Sequence, residues 1–441
     1  MTVSTRTENR FAWLFLDSSL ALLAGLFLTV TWSWSRQSKA PFYDADFSTF
    51  YLAARILHSN PEVLYDTATQ KAFQEQIAQF SLKPYIHPPF ETLLFWPLGY
   101  FTYPNALRIW IFLNLLLVIL LPFGVCRIGP GILKRHRRSL FLLAVSFYPF
   151  LSCILQGQDS ILYLWILVGT IGLLNLNRQL LAGGVLGFGL IKPQLTIFLI
   201  FPFLLRGRIR LLLGFLLSLA ILLGISTWVV GPAGLSQYYK VLSAASSNDS
   251  RPDLTLMETN QRSSSVSLGQ HPGRMHNWTG QLSLWGFRAI HGTGGAIVLT
   301  LVGCCLLMLV WGKNRPCESN TLRLQYAATL LVAMLSSIHL YLHDTVIVYL
   351  VIVLCFENWL SSSSQGWNRH WVVPFLLISP LIWIIAAVPG SLLLNLGVVW
   401  MTLLLLLLIW VIRRNSLSKN ERAPSFSKSL SSIKCHPGTE R

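Results

Sequence analysis

The sequence predicts an all-α polytopic membrane protein, and three observations lead to this prediction. Hydrophobic residues make up 53% of the 441 residues and charged residues only 12%, whereas charged residues are about 25% of an average soluble protein. Apolar stretches of about 17–25 residues, the length that crosses a bilayer as a helix, recur along the chain. Basic residues form short clusters between these stretches, as the signals that orient membrane proteins do.

The apolar stretches predict about 10–13 transmembrane helices within a single membrane domain over residues 1–412. The first stretch follows Arg6 and Arg10 and is too long for the apolar core of a signal peptide, so we expect a retained span. The windows lie near residues 11–34, 105–125, 139–155, 160–176, 211–231, 295–312, 324–338, 345–360, 371–387 and 391–412.

The basic clusters orient the chain. Its formal net charge is +17, but the basic residues are not gathered on one folded face, which argues against nucleic-acid binding. Lys134, Arg135, Arg137 and Arg138 form the densest cluster in a short loop and predict that this loop is cytoplasmic. Both termini then lie in the cytoplasm, with a basic tail over 413–441 that we expect to be disordered. The same side receives Arg178, Arg206, Arg208, Arg210, Lys313, Arg315 and Arg369.

Polar residues gather on the opposite side, which is periplasmic if the membrane is a bacterial inner membrane. The prediction places five stretches there. They are a long first loop with amphipathic helices over 35–104, the turn from Gln156 to Asp159, the break at Lys192, a second loop over 232–294, and the stretch from His339 to Asp344. This segregation predicts one polar cavity facing away from the cytoplasm.

The segment 181–205 has arginines on both sides and Lys192-Pro193 in its middle. It predicts either a hairpin of two half-helices or a broken helix, and non-helical backbone inside a membrane is tolerated where it lines a cavity. A lysine in an apolar segment costs about 2.5–3.5 kcal/mol on insertion scales. Lys192 therefore either reaches out to the membrane surface or, as a cation beside a helix break, binds a lipid phosphate.

Two acidic residues, Asp44 and Asp46, stand out in the first loop. Apolar residues recur at helical spacing after Asp46, which predicts an amphipathic helix along the membrane with Asp46 as its N-cap. The alternative role is a general base that takes a proton from a hydroxyl, since a carboxylate near a low-dielectric surface binds protons more strongly.

Several other polar residues have both a structural and a functional interpretation. His87, ahead of Pro88-Pro89, is either a hydrogen-bonded loop histidine or a phosphate contact. Gln158 belongs to a turn, or to a cavity floor where its amide binds sugar hydroxyls. His339 and His343, beside Asp344, would share one face of a helix if this stretch is helical. No HExxH or CxxC motif occurs, so no metal is indicated, and a divalent metal requirement stays open.

The ordered patches around these residues resemble glycosyltransferase family 87, whose members are polyprenyl-phosphate-sugar-dependent mannosyltransferases with the GT-C fold. The patches cover about residues 40–350. They are Asp-Phe-x-x-x-Tyr-x-Ala-Ala at 46–54, Tyr-x-x-Pro-Pro at 85–89, Gly-Gln at 157–158, Ala-Gly-x-x-x-Gly through Lys-Pro-Gln at 182–194, Gly-Pro through Tyr at 231–239, and the final His and His-Asp pair.

The resemblance implies a GT-C-like bundle and an inverting transfer of a hexose, mannose first, from a polyprenyl-phosphate donor to a lipid or glycan hydroxyl. Asp46 would be the base, with Asp44 as the alternative, and His343 and then His339 would approach the donor phosphate or the acceptor. The family's Gly-Gln-x-Asn patch has Asp159-Ser160 here, which alters the contacts expected there.

Two other interpretations compete with this one. A GT-C enzyme could use another lipid-linked sugar, such as an arabinosyl or glucosyl donor. A transporter or flippase of lipid-linked sugars would instead place ionisable residues near the membrane midplane and show paired repeats. The acids of this chain lie in a predicted outer loop, which favours the enzyme.

Overall fold

The computed structural model describes residues 13–26, 28–29, 46–77, 84–128, 132–246, 274–287, 293–312, 319–337, 339–361, 367–386 and 394–422. These residues form helices and connecting turns with no strand, which confirms the all-α class. The helices are α1 (Trp13–Leu26), α2 (Phe47–Ser59), α3 (Thr67–Ile77), α4 (Thr92–Phe95), α5 (Tyr103–Ile128), α6 (Ile132–Arg135), α7 (Arg137–Ser146), α8 (Tyr148–Gln156), α9 (Ser160–Asn175), α10 (Gln179–Gly187), α11 (Pro193–Leu205), α12 (Ile209–Ser246), α13 (Trp278–Leu284), α14 (Thr293–Trp311), α15 (Ser319–Ser336), α16 (Ile347–Ser361), α17 (Trp367–Ala386) and α18 (Leu396–Arg422).

Long apolar helices make this a membrane protein. Within the described ranges, four helices are long and apolar enough to cross a bilayer, namely α5, α12, α14 and α18, and a bent pair formed by α7 and α8 would make a fifth. Large apolar side chains on these helices face outward, and Trp228 of α12 is 79% exposed. Such surfaces suit lipid rather than water. Further apolar helices are shorter than a full span, so the count of 10–13 spans stays a prediction.

The window 139–155, which was expected to form a span, consists of two helices with a bend between them. Helices α7 and α8 meet at an angle of 56°, and Phe147 between them is extended. Pro149 lies in the first turn of α8, where its missing N–H leaves no helical hydrogen bond unmade. The bend therefore follows from a proline that starts a new helix.

The segment 181–205 is a hairpin with Lys192 at its tip. Helix α10 and the 3₁₀ turn Phe188–Ile191 lead into the tip, and α11 leads out. Helix α10 runs beside the start of α12 in the same direction, because Gly183 lies against Leu211 and Gly187, one turn further along α10, lies against Ser218. Glycines allow this close backbone approach. Since α12 begins directly after α11, both ends of the hairpin lie together.

Two predicted boundaries need correction. The second outer loop was expected to start at residue 232, but α12 only kinks there, at Gly231 with φ 67° and Pro232, and continues to Ser246. The disordered tail was expected from residue 413, but α18 extends to Arg422. The rest of that tail, and residues 247–273 of the loop, lie outside the described residues.

Two apolar cores meet beside the polar turn. The smaller core packs α2 against the start of α5 and the kink of α12. The larger core joins α7–α11 with α14–α18. The turn from Gln156 to Asp159 lies where they meet, because Trp110 of the smaller core donates its indole N–H to the Gly157 carbonyl over 2.8 Å, while Cys153 and Ile154, just before the turn, belong to the larger core.

Candidate active site

A four-residue turn, Gln156–Asp159, is the centre of a cluster of polar side chains. Gly157 ends α8 in the left-handed conformation, with φ 65° and ψ 36°, which glycine adopts without strain. A Cβ at this position would also come within 2.6 Å of the Phe47 side chain. Glycine is therefore required for two independent reasons, and the turn can present its three polar side chains to three different partners.

The first partner is Asp46, whose carboxylate accepts a hydrogen bond from the Gln158 side-chain amide over 2.8 Å. The expected capping role is wrong, because the Asp46 side chain makes no cap hydrogen bond to α2. Only its backbone carbonyl is used there, by Thr49. Ten of the thirteen residues of α2 are buried, so this helix holds Asp46 rigidly. Asp44 lies outside the described residues.

The second partner is Lys192, which lies between two carboxylates. Its Nζ is 2.9 Å from Asp159 Oδ1 and 2.8 Å from Asp344 Oδ1. The three residues are 5%, 0% and 3% exposed, in the order Lys192, Asp159, Asp344. We call this group the ion triplet. Lys192 does not reach the surface, so that alternative is wrong, and a phosphate would have to share its ammonium with two carboxylates.

Asp344 is the better supported of the two carboxylates. Ser160 donates its hydroxyl to Oδ1 over 2.8 Å, and the Tyr341 N–H donates to Oδ2 over 3.1 Å. Burial by itself would raise the pKa of Asp344, but Lys192, His343 and the Tyr341 N–H hold it well below its usual range. Asp159 Oδ2, by contrast, has no hydrogen-bond partner among the described residues. Lys192 is therefore essential to keeping Asp159 buried as a charge.

The third partner is His343, whose Nδ1 lies 3.0 Å from Gln156 Oε1. Its Nε2 lies 3.5 Å from Asp344 Oδ2, next to the ion triplet. His339 does not share a helical face with His343, because residues 339–341 are not helical and Leu342–Val346 is a 3₁₀ turn. The expected helical HxxxH arrangement is therefore wrong. Burial lowers the pKa of His339 to about 4, so its imidazole is neutral at physiological pH.

His87 has a partner that sequence reasoning missed. Its Nδ1 lies 3.2 Å from Oε1 of Glu91, a side chain with no exposed surface. The Pro88-Pro89 pair starts a 3₁₀ turn over Pro89–Glu91, which places Glu91 beneath the imidazole. Burial raises the pKa of Glu91 to about 7. Burial alone would lower the pKa of His87, but Glu91 outweighs this and the net shift is upward. One signal could have found Glu91, namely a lone carboxylate at the start of an apolar run.

The sequence Asn277-Trp278-Thr279 fits the N-x-T acceptor pattern for N-glycosylation, but in this structure Asn277 has a structural role. The Asn277 side chain is fully buried. It caps α13 by accepting from Gly280 N over 2.8 Å, and it donates to the Ser337 carbonyl over 2.6 Å. Its amide is therefore committed to holding α13 against the end of α15 and is not accessible for glycosylation.

In the described part of the chain, no three His, Cys, Asp or Glu side chains come together as metal ligands. Comparison with known protein families matches residues 85–338 to glycosyltransferase family 87. The match covers more than half of the chain. The chain belongs to glycosyltransferase family 87. No curated protein and no solved structure matches it.

Membership of family 87 makes the protein a membrane glycosyltransferase. The matched region contains His87, Gln158 and Lys192, whereas Asp46 and His343 lie outside it. The structure nevertheless brings both of these to the Gln156–Asp159 turn inside the matched region. Asp46 and Gln158 are 112 positions apart, and His343 and Gln156 are 187 apart. The site is thus assembled by the fold from three distant segments.

Proposed function

We propose that the protein transfers a hexose, with mannose as the first candidate, from a polyprenyl-phosphate donor to a hydroxyl of a lipid or glycan acceptor. The observation that carries this proposal is the Asp46 carboxylate, held by a neutral amide at a turn whose other side chains contact His343 and Lys192. Transfer to a hydroxyl needs a base within hydrogen-bond reach of the proton it removes. A protein built of apolar helices suits a donor with a polyprenyl chain.

In the proposed reaction, Asp46 takes the proton of the acceptor hydroxyl as the hydroxyl oxygen attacks the anomeric carbon of the donor. The new carbon–oxygen bond forms as the bond between the anomeric carbon and the phosphate oxygen breaks. Polyprenyl phosphate leaves with that electron pair, and the anomeric configuration inverts. Gln158 orients the carboxylate, as its 2.8 Å hydrogen bond to Asp46 allows.

The leaving phosphate needs positive or hydrogen-bonding groups, and three histidines are the candidates. His343 lies at the turn. Glu91 raises the pKa of His87, so His87 holds its proton more strongly than an isolated histidine does. His339 is neutral and can donate or accept a hydrogen bond. Lys192 has a different role in this proposal. Because Asp159 and Asp344 already share its ammonium, it sets the shape and charge of the cavity floor and leaves the phosphate to the histidines.

We also propose that the site faces the periplasm of a bacterial inner membrane and that both termini are cytoplasmic. The hairpin supports this orientation. Its two ends, which carry Arg178 and the Arg206–Arg210 cluster, lie together, whereas its tip carries Lys192 of the site. Positively charged ends are retained in the cytoplasm. In a cysteine-free background, a cysteine at Tyr100, which is 68% exposed, should react with an impermeant reagent from the periplasmic side.

The experiment that tests the transfer uses wild-type protein in lipid nanodiscs. Polyprenyl-phosphate mannose, glucose and arabinose, each labelled in the sugar, are supplied with a glycolipid acceptor. We expect release of polyprenyl phosphate and a product of inverted anomeric configuration with the mannosyl donor. Preference for another sugar would correct the donor, and retention of configuration would contradict the single-displacement mechanism.

A flippase of lipid-linked sugars is the second candidate, and family membership weighs against it. The ion triplet is a feature that a transporter would share, since buried ionisable residues often mark a transport pathway. Movement of the intact donor between leaflets without release of polyprenyl phosphate would favour the flippase over the transferase.

A further inference from the structure

A cavity of about 450 Å³ lies at the base of the hairpin, far from the Gln156–Asp159 turn. Its described lining contains three arginines, one amide side chain and no carboxylate. The lining residues are Gln179, Arg206, Gly207, Arg208, Ile209 and Arg210. The guanidinium group of an arginine donates hydrogen bonds in a planar fork that matches the oxygen atoms of a phosphate or carboxylate.

The fold builds this cavity from two separate segments. Gly207 adopts φ 58° and lets the chain turn sharply between α11 and α12, which brings the three arginines onto one short turn. Helix α11 leads back from the tip to the start of α10, so Gln179 lies beside this turn and completes the lining. A preference for positive charge at this end of the membrane explains why arginines occur there, but it does not require them to surround a cavity with Gln179.

The surroundings of the cavity are apolar and exposed. Ile209, within the lining, is 66% exposed, and Leu204 and Leu213, one helical turn away on α11 and α12, are each 54% exposed. Leu180 and Leu181, next to Gln179, are 50% and 56% exposed. Exposed leucines on membrane helices face acyl chains, so the cavity opens where the headgroup of a lipid meets its chains.

We propose that this cavity binds the phosphate group of one anionic phospholipid, with the acyl chains along the exposed leucines of α10, α11 and α12. A free phosphate would use the arginines but not the leucines. Helix α11 has 13 residues, so at about 1.5 Å per residue the cavity lies roughly 20 Å from Lys192. It is therefore separate from the proposed transfer site. On the proposed topology the lipid belongs to the cytoplasmic leaflet, where basic pockets between helices bind anionic headgroups.

The bound lipid would hold the two ends of the hairpin together. Gln179 belongs to α10 and the arginines to the turn that follows α11, so one phosphate that contacts both fixes the base of the hairpin. Binding to the folded state stabilises it by mass action. Anionic phospholipid should therefore raise the thermal unfolding midpoint of the protein.

The test measures lipid binding by native mass spectrometry and thermal unfolding of the full chain in a neutral detergent. The probes are phosphatidylglycerol, phosphatidylcholine with the same chains, and inorganic phosphate. The pocket variant is Arg206→Gln with Arg208→Gln. The control is Arg413→Gln with Arg414→Gln, which removes the same charge from α18, outside the cavity.

We expect the wild type and the control to bind phosphatidylglycerol at least about tenfold more tightly than phosphatidylcholine, and the pocket variant to lose this preference. Equal losses in both variants, or equal binding of the two lipids by the wild type, would overturn the site. Protection by inorganic phosphate as strong as that by phosphatidylglycerol would overturn the lipid assignment. If the glutamine variant does not fold, Arg206→Lys with Arg208→Lys keeps the charge, and it must still weaken binding because lysine lacks the planar fork.

Discussion

One short turn supplies two carboxylate environments that differ in almost every respect. Asp159 is fully buried beside the Lys192 ammonium, which a second carboxylate also contacts. Asp46, at the other side of the turn, is only half-buried, and the neutral amide of Gln158 donates to it. A buried charge that is paired with an opposite charge serves the stability of the fold, because separating the pair is costly. A carboxylate held by a neutral donor remains able to accept a proton.

The difference has an energetic counterpart. Removing one member of a buried ion pair costs about 3–5 kcal/mol, because a charge is left buried and unpaired. Removing a neutral donor from a carboxylate costs about 1.5–3 kcal/mol at most. Variants in the ion triplet should therefore lose stability first, and variants around Asp46 should lose activity while the protein stays folded.

The largest stability effect is expected for Lys192→Met. It leaves Asp159 and Asp344 without their shared cation and should lower the free energy of unfolding by about 3–5 kcal/mol, measured by thermal unfolding in detergent. Lys192→Met with Asp159→Asn removes one of the two uncompensated charges and should recover part of the loss. A single variant as stable as the wild type would show that the triplet does not carry this structural role.

A large activity effect is expected for His343. His343→Ala removes a group at the turn and should lower kcat by about 10²–10⁴-fold, the usual contribution of a positioned acid or base. The check is the transfer rate at saturating donor, with the unfolding midpoint measured on the same sample. His276→Ala is the control, since His276 is a buried histidine that contacts Asn395 rather than the turn. Equal losses in both variants would mean that packing accounts for the effect.

Gln158→Ala should have an intermediate effect. It removes the donor that orients Asp46, and a hydrogen bond to a charged group is worth about 1.5–3 kcal/mol, or about 10- to 100-fold in rate. Gln325→Ala is the control, since this buried amide donates to the Val310 carbonyl and not to a residue of the turn, and it should leave the transfer rate unchanged. An unchanged rate for Gln158→Ala would remove this residue from the site.

The smallest effect concerns pH and the His87–Glu91 pair. The pKa of Glu91 is about 7 in the folded protein against an ordinary 4.5, so the folded state binds this proton more strongly than the unfolded state does. Its contribution to stability is complete below about pH 4.5 and is lost as the pH rises to about 7. The raised pKa of His87 acts in the same direction.

As the pH rises from 5 to 8, the unfolding midpoint of Glu91→Gln should therefore rise relative to that of the wild type, by on the order of 1–3 °C. Taking the difference between the two proteins at each pH cancels the contributions of His276 and His339, whose pKa values burial lowers to about 4. A difference that does not change with pH would mean that Glu91 keeps its ordinary pKa.

Hydropathy and charge were enough for the class of fold and for the break at Lys192-Pro193. Both follow from local features of the sequence, namely the length of an apolar stretch and a proline within it. The polar turn at Gln156–Asp159 was also visible, because it interrupts two apolar windows. The hairpin needed the structure, since close packing of Gly183 on Leu211 decided between two arrangements that the sequence allowed equally.

Pairings across the chain were not predictable. Nothing in the local sequence says that Asp46 meets Gln158 or that Asp159 and Asp344 share Lys192, because these contacts depend on how distant helices face one another. The capping role expected for Asp46 failed for the same reason, since a tertiary partner competed with the helix end. Glu91 was overlooked because a single carboxylate at the start of an apolar run resembles the end of a membrane segment. Its role becomes visible only when the structure places His87 beside it.

The most direct test of the account compares Asp46→Asn with wild type in one sample series, using polyprenyl-phosphate mannose, a glycolipid acceptor and single-turnover transfer. Asp66→Asn is the matched control, because Asp66 accepts from Thr69 at the start of α3 and does not contact the turn. We expect Asp46→Asn to keep the wild-type unfolding midpoint and to lose at least about 10³-fold in rate, while Asp66→Asn transfers normally. Transfer by Asp46→Asn at the wild-type rate would contradict the assignment of Asp46 as the base.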